Sequence, residues 1–148
     1  MAIDGLADAD VRAILRHVKT FAVIGASPKA ERPSYGVMRF LIDEGYVVKP
    51  VNPGVAGKTI HDQLAYASLA DVPPPVDVVD IFRASDAVPA IVSEAIVEKD
   101  RLGITVIWMQ LGVVNEQAAA EARAAGLTVV MDRCPKIEFA RLISRSHA

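Results

Sequence analysis

Residues 21–34 read Phe21-Ala-Val-Ile-Gly25-Ala-Ser-Pro-Lys29-Ala-Glu-Arg32-Pro-Ser34. Four apolar residues run without alternation, then a glycine, then a short polar loop. A run of this kind reads as a strand buried on both faces, as in a parallel sheet covered by helices. Beyond the loop, Val37, Met38, Leu41 and Ile42 fall at helical spacing. Ser34 is placed as the N-cap of that helix and Gly45 as the glycine that ends it. The stretch is thus strand, tight loop, helix.

The pattern repeats outward. Further apolar runs cover 46–52, 78–82, 104–109 and 127–131. Lys49 and Pro50 interrupt the first of these and mark a strand near an edge, or one with a bend. Helical spacing covers 8–18, 85–99 with Pro89 in the first turn, 115–125 between Asn115 and Gly126, and 135–143, which opens on a proline. The segment 54–75 is less regular. Its residues 61–69 are read as a short helix, and Pro73-Pro74-Pro75 as a stiff loop. Alternation of strands and helices implies an α/β fold: a doubly wound, Rossmann-type, five-stranded parallel sheet in a three-layer α/β/α sandwich. The strand order expected is 3-2-1-4-5.

The chain of 148 residues fits one domain, 1–148, with its core at about 20–143. A hydrophobic content of 52% excludes a disordered chain. The longest apolar runs fall far short of the ~20 residues of a membrane span. A net charge of −2 lacks the basic footprint of a nucleic-acid binder. One cysteine, Cys134, forms no internal disulfide, and no leader pattern opens the sequence. A cytoplasmic protein is expected.

Open parallel sheets bind ligands at the carboxyl ends of their strands. That rim carries Lys29, Arg32, Lys58, Arg83, Arg133 and Lys136 against Glu31 and Asp132. The opposite rim carries Asp43, Glu44, Asp71, Asp77, Glu98 and Asp100 against Lys99 and Arg101. A near-neutral chain so divided favours an anionic ligand at its basic edge. In the first loop, Gly25 permits close backbone approach, Ser27 and Ser34 offer hydroxyls, and Lys29 and Arg32 add charge beside a helix N-terminus. This is a phosphate cradle by mechanism; the competing reading is a plain strand-to-helix turn. It lacks both G-x-G-x-x-G and the G-K-[ST] of a P-loop. The second strand ends in Val51-Asn52-Pro53 without the carboxylate that holds an NAD ribose. Asn52 is suited to hydrogen-bond a nucleotide, or to form a turn.

Six segments resemble the small single-domain CoA-binding protein family. They are Val23-Ile-Gly-Ala-Ser-Pro28, Arg32-Pro-Ser-Tyr35, Pro50-Val-Asn-Pro53, Val76-Asp-Val-Val-Asp-Ile-Phe-Arg83, Trp108-Met-Gln-Leu-Gly112 and Met131-Asp-Arg-Cys-Pro-Lys136. That family's fold is similar to the CoA-binding domain of the succinyl-CoA synthetase α subunit. The resemblance implies coenzyme A, or an acyl-CoA, across the first loop. Gly25, Ala26, Ser27 and Lys29 would hold its phosphates, with Arg32 and Tyr35 near the helix start. Asn52 and Pro53 would border the ribose or adenine. Phe82 and Arg83 would follow the third strand, and Met109, Gln110, Leu111 and Gly112 would line the route of the pantetheine arm.

No catalytic residue and no metal site is expected. His17, His61 and His147 are scattered and read as surface histidines. Cys134, at a helix start between Arg133 and Lys136, reads either as a reactive thiol or as a small packed residue. Trp108 reads as core, Tyr35 either way, and the Ala-rich face of 115–125 suits close packing on a helix or a subunit. The reading that results is a CoA-binding protein without its own catalysis. Its rivals are an NAD(P)-dependent or acyl-CoA-handling enzyme or subunit, and a protein-interaction module with a vestigial nucleotide pocket. A homodimer is expected only on base rates.

Overall fold

The computed structural model describes residues 2–143. In chain order the main elements are α1 (Asp8–His17), β1 (Thr20–Ile24), α2 (Pro33–Asp43), β2 (Val47–Val51), β3 (Val78–Ile81), α3 (Val88–Leu102), β4 (Val106–Met109), α4 (Glu116–Ala124), β5 (Thr128–Val130) and α5 (Pro135–Leu142). The five strands form one all-parallel sheet. Every residue of β1, β3 and β4 is buried, as their unbroken apolar runs require.

Side chains alternate across the sheet. Ala22, Ile24, Val79, Ile81, Ile107 and Met109 pack with α3 and α4. Phe21, Val23, Val78 and Trp108 pack with α1, α2 and α5 on the other face. The sheet is therefore doubly wound. Trp108 is fully buried and donates its indole N–H to the Arg133 carbonyl at 2.9 Å, so the core reading holds. The Ala-rich face of α4 is spent in the core, where Ala118, Ala119 and Ala122 are buried beside α3.

The strand order differs from the expected one. It is 2-1-3-4-5 rather than 3-2-1-4-5: β3 pairs with β1, and β2 is an edge. Pro50 gives the reason. Its carbonyl accepts Tyr66 N–H on the outer side of β2, so its missing N–H faces that same side. A full strand cannot ladder there. The outer side of β2 holds only a single bridge from Val51 to Tyr66. The reversal of strand order therefore falls between β1 and β3, which is where ligands bind in such folds.

Two local expectations also change. Residues 61–69 hold no helix. Thr59–Ile60 pairs antiparallel with Gln63–Leu64 about a turn at His61 and Asp62, both with positive φ, and Leu69–Asp71 forms one 3-10 turn. Backbone bonds from Ala65 to Lys58 and from Tyr66 to Pro50 draw this segment along β2 instead. Ser34 is not the N-cap of α2. Pro33 already occupies the first turn, Arg32 is the cap residue, and the buried Ser34 accepts the Ser27 N–H at 3.1 Å.

Candidate functional site

A cleft of about 1180 Å³ runs along the carboxyl edge of the sheet. The loops after all five strands contribute to it. The loops after β1 and β3 approach each other closely at Gly25. Gly25 has φ +84°, and a Cβ placed there would sit 2.5 Å from the Phe82 carbonyl oxygen and 2.9 Å from the Arg83 Cδ. The glycine is thus demanded by the neighbouring loop, where the sequence suggested a ligand.

The first loop is largely closed on itself. Gly25 and Ala26 donate to the Val51 carbonyl at 3.0 and 3.3 Å. Ser27 donates to Ser34 Oγ, Lys29 to Ser27 Oγ and Arg32 to the Lys29 carbonyl. Asn52 straps this loop to the next one: its Nδ2 donates to the Ala26 carbonyl at 2.8 Å and its Oδ1 accepts Gly54 N–H at 2.9 Å. The backbone N–H groups of Gly25, Ala26, Ser27, Lys29 and Arg32 therefore already have partners. What the cleft presents to an anion is side-chain charge. Lys29, Arg32 and Arg83 line it, are exposed, and among the described residues form no ion pair or side-chain hydrogen bond. Glu94, half-buried on α3, is the carboxylate in the lining.

The cleft's other end is quieter. Gln110 is buried at its wall, and its Oε1 has no hydrogen-bond partner. Leu111 and Ile137 stand exposed beside it, and Cys134, the N-cap residue of α5, lines it while remaining 6% exposed. Of the residues marked by sequence, the cleft thus gathers Gly25, Ser27, Lys29, Arg32, Asn52, Pro53, Phe82, Arg83, Gln110, Leu111 and Cys134. Ala26, Tyr35, Met109 and Gly112 are outside its lining. Ala26 and Met109 are core. Tyr35 stacks on His61 with ring centroids 4.1 Å apart, and Gly112 donates to Asp132 Oδ1 at 2.7 Å.

Three rim cations are corrected. Arg133 is not available to a ligand: its Nε lies 2.8 Å from Asp4 Oδ2 and its Nη1 2.7 Å from Glu138 Oε1. Lys136 lies over the Phe40 ring at 5.9 Å, and neither it nor Lys58 lines the cleft. Burial pushes the Asp4 carboxyl up, but bonds from Arg133 and from the Leu6 and Met131 N–H groups outweigh it and hold it below the ordinary value. Glu138 is likewise raised by burial and held lower by Arg141 and Arg133. The histidines are corrected in part. His17 is exposed as expected, whereas His61 is half-buried with Nε2 2.8 Å from the Tyr35 carbonyl oxygen. His147 lies outside the described residues.

Sequence reading missed Ser68, Ile91, Glu94 and Ile137 in the lining. Ile91 and Glu94 are three apart on α3, and so share a face; the placement of that face depended on the strand order. Among the described residues no group of His, Cys, Asp and Glu is arranged to hold a metal, and no helix is long and apolar enough to cross a membrane.

The chain matches the CoA binding domain family over residues 19–140. It is a member of that family. Within it, the chain is similar to the uncharacterized protein YneT of Bacillus subtilis (strain 168), at 38% identity over 135 residues, which cover 89% of this chain and 93% of that protein. A hypothetical protein from Pyrococcus horikoshii OT3 shares the fold with TM-score 0.88 and 38% identity, covering 97% of this chain and 96% of its own. The Thermus thermophilus protein solved as cell-free ID.343 matches with TM-score 0.82 and 36% identity over 93% of this chain and all of that one (100%). The CoA binding domain match spans β1 through most of α5, and so includes every loop that builds the cleft.

Proposed function

We propose that the chain acts as one CoA-binding domain, holding coenzyme A or an acyl-CoA in the carboxyl-edge cleft, with no chemistry of its own. One observation carries the reading. The same cleft sets three cations and a buried acceptor, Gln110 Oε1, that among the described residues have no side-chain partner. CoA is a matching object: a strongly anionic nucleotide joined to an arm with amide N–H groups. Lys29, Arg32 and Arg83 meet the phosphates, and Gln110 accepts from the arm, where its oxygen otherwise bears the cost of a lost hydrogen bond. Asn52 and Pro53 border the nucleoside. The absence of a carboxylate at the end of β2 disfavours NAD. A cytoplasmic setting, with its pool of CoA, suits this role.

A thermal-shift panel of CoA, acetyl-CoA, NAD, NADP and ATP tests it. A ligand at 100 times its Kd stabilises by about 2.7 kcal/mol. Stabilisation by CoA and its thioesters alone is expected. Selective stabilisation by NAD assigns the cleft to a dinucleotide, and no shift with any member of the panel favours a protein-interaction module.

A further inference from the structure

The cleft does not end at Cys134. A second groove of about 280 Å³ adjoins it, and Leu111, Cys134 and Ile137 line both. Its further apolar lining is Ala2, Ile3 and Met131. Six large apolar side chains stand exposed among the described residues, and three of them, Ile3, Leu111 and Ile137, converge here at 52%, 58% and 51% exposure. The polar residues of the same groove are already occupied. Arg133 is paired with Asp4 and Glu138, Arg141 with Asp8 and Glu138, and Asp132 accepts Gly112 N–H. What stands open in the groove is aliphatic surface from Ile3, Leu111 and Ile137, set beside charged side chains that are largely held by one another.

Position along the sheet gives the groove an orientation. The free cations Lys29, Arg32 and Arg83 follow β1 and β3, whereas the groove opens beyond β4 and β5. Across the three strand spacings from β1 to β5, about 15 Å, the edge passes from unpaired cations to exposed aliphatic side chains set among paired charges. An elongated ligand with an anionic head and an apolar tail fits that gradient. We infer that the groove behind Cys134 holds the aliphatic acyl chain of an acyl thioester, so that the preferred ligand is an acyl-CoA and not free CoA. This rests on the reading that the cleft takes CoA. Ile3 is the inference's own residue, because it lines the groove and not the cleft.

Calorimetric titration with CoA and its acetyl, butyryl, hexanoyl and octanoyl thioesters tests the assignment, in the full chain and in Ile3→Asp. Affinity is expected to climb with chain length by up to about fourfold per buried methylene, and Ile3→Asp is expected to flatten that climb while CoA itself binds unchanged. The inference is overturned if octanoyl-CoA and CoA bind within twofold of each other, or if Ile3→Asp keeps the full chain-length dependence. Loss of binding to every member of the series, CoA included, overturns the CoA reading itself and is told apart by the CoA titration alone.

Discussion

Asp4 and Arg133 form a two-pronged ion pair that closes the N-terminal arm over the end of β5. Arg133 Nε lies 2.8 Å from Asp4 Oδ2, and Nη2 lies 3.1 Å from Oδ1. The Asp4 side chain is fully buried and that of Arg133 is 11% exposed. Asp4 Oδ2 also accepts Met131 N–H, tying the arm to the strand end. Removing one partner of a buried pair costs about 3–5 kcal/mol. Asp4→Asn is expected near the low end, about 3 kcal/mol, because Glu138 still faces Arg133. Denaturant unfolding reads this as a lower midpoint at constant slope. The folded Asp4 carboxyl is held below its ordinary value of 3.8, so its contribution is complete above that pH and disappears as pH falls through the lower folded value. The gap between wild type and variant should close there. A constant gap down to pH 2 would show that the charge is not its source.

Asp80 behaves in the opposite sense. It is fully buried, both carboxyl oxygens lack partners, and its neighbours in register are Val23 and Trp108. Burial raises its pKa well above 3.8. The folded state then keeps a proton that the unfolded state has released, so stability declines as pH rises above 3.8 until the folded value is passed. Asp80→Val should stabilise by about 1–3 kcal/mol at pH 3, the usual cost of an unsatisfied buried polar group, and by more at pH 7, where the proton released by the unfolded chain adds to it. A Tm at pH 7 below wild type would reveal an interaction that the carboxyl makes.

Gly25→Ala tests the crossing of the first and third loops. The new methyl would meet the Phe82 carbonyl oxygen at 2.5 Å on a backbone with φ +84°. Strain of this kind costs on the order of 1–3 kcal/mol, and relief comes only by moving Phe82 and Arg83. Stability and CoA affinity should fall together. A variant that loses affinity at unchanged Tm would place the glycine's role with the ligand instead.

Lys29→Ala, Arg32→Ala and Arg83→Ala should each weaken CoA binding by about fivefold, near 1 kcal/mol for an exposed charge, and flatten its salt dependence. Arg133→Ala, a neighbour on the same rim, should lower Tm while leaving the salt dependence as it was. Equal salt effects from all four would refute the division of the rim into free and paired cations.

That division shows where sequence reading stops. The strands and all five long helices follow from local periodicity, proline and glycine, and so does the choice of the carboxyl edge. The three unpaired cations that line the cleft lie in loops adjoining β1 and β3, on the carboxyl edge to which the sequence pointed. Arg133 looked no different, because its partner Asp4 is distant in the chain and only the fold brings them together. The strand order failed for a related reason. Lys49 and Pro50 signal an edge or a bend, and only the first of these excludes a strand outside β2; pairing is a property of two segments, and periodicity describes one. Nothing in the local pattern singles out Ile3 or Ile137; their meeting at one groove follows from the Asp4 anchor.

The Asn52 strap has a kinetic and entropic consequence. With the loops after β1 and β2 already bound to each other through one amide, an arriving nucleotide has little backbone left to order. The ordering that remains is in Lys29, Arg32 and Arg83, at roughly 0.5–1.5 kcal/mol for each long side chain immobilised. For the proposed CoA site, a preformed backbone with exposed charged tips predicts fast capture, with a residence time set by how many tips the ligand holds at once.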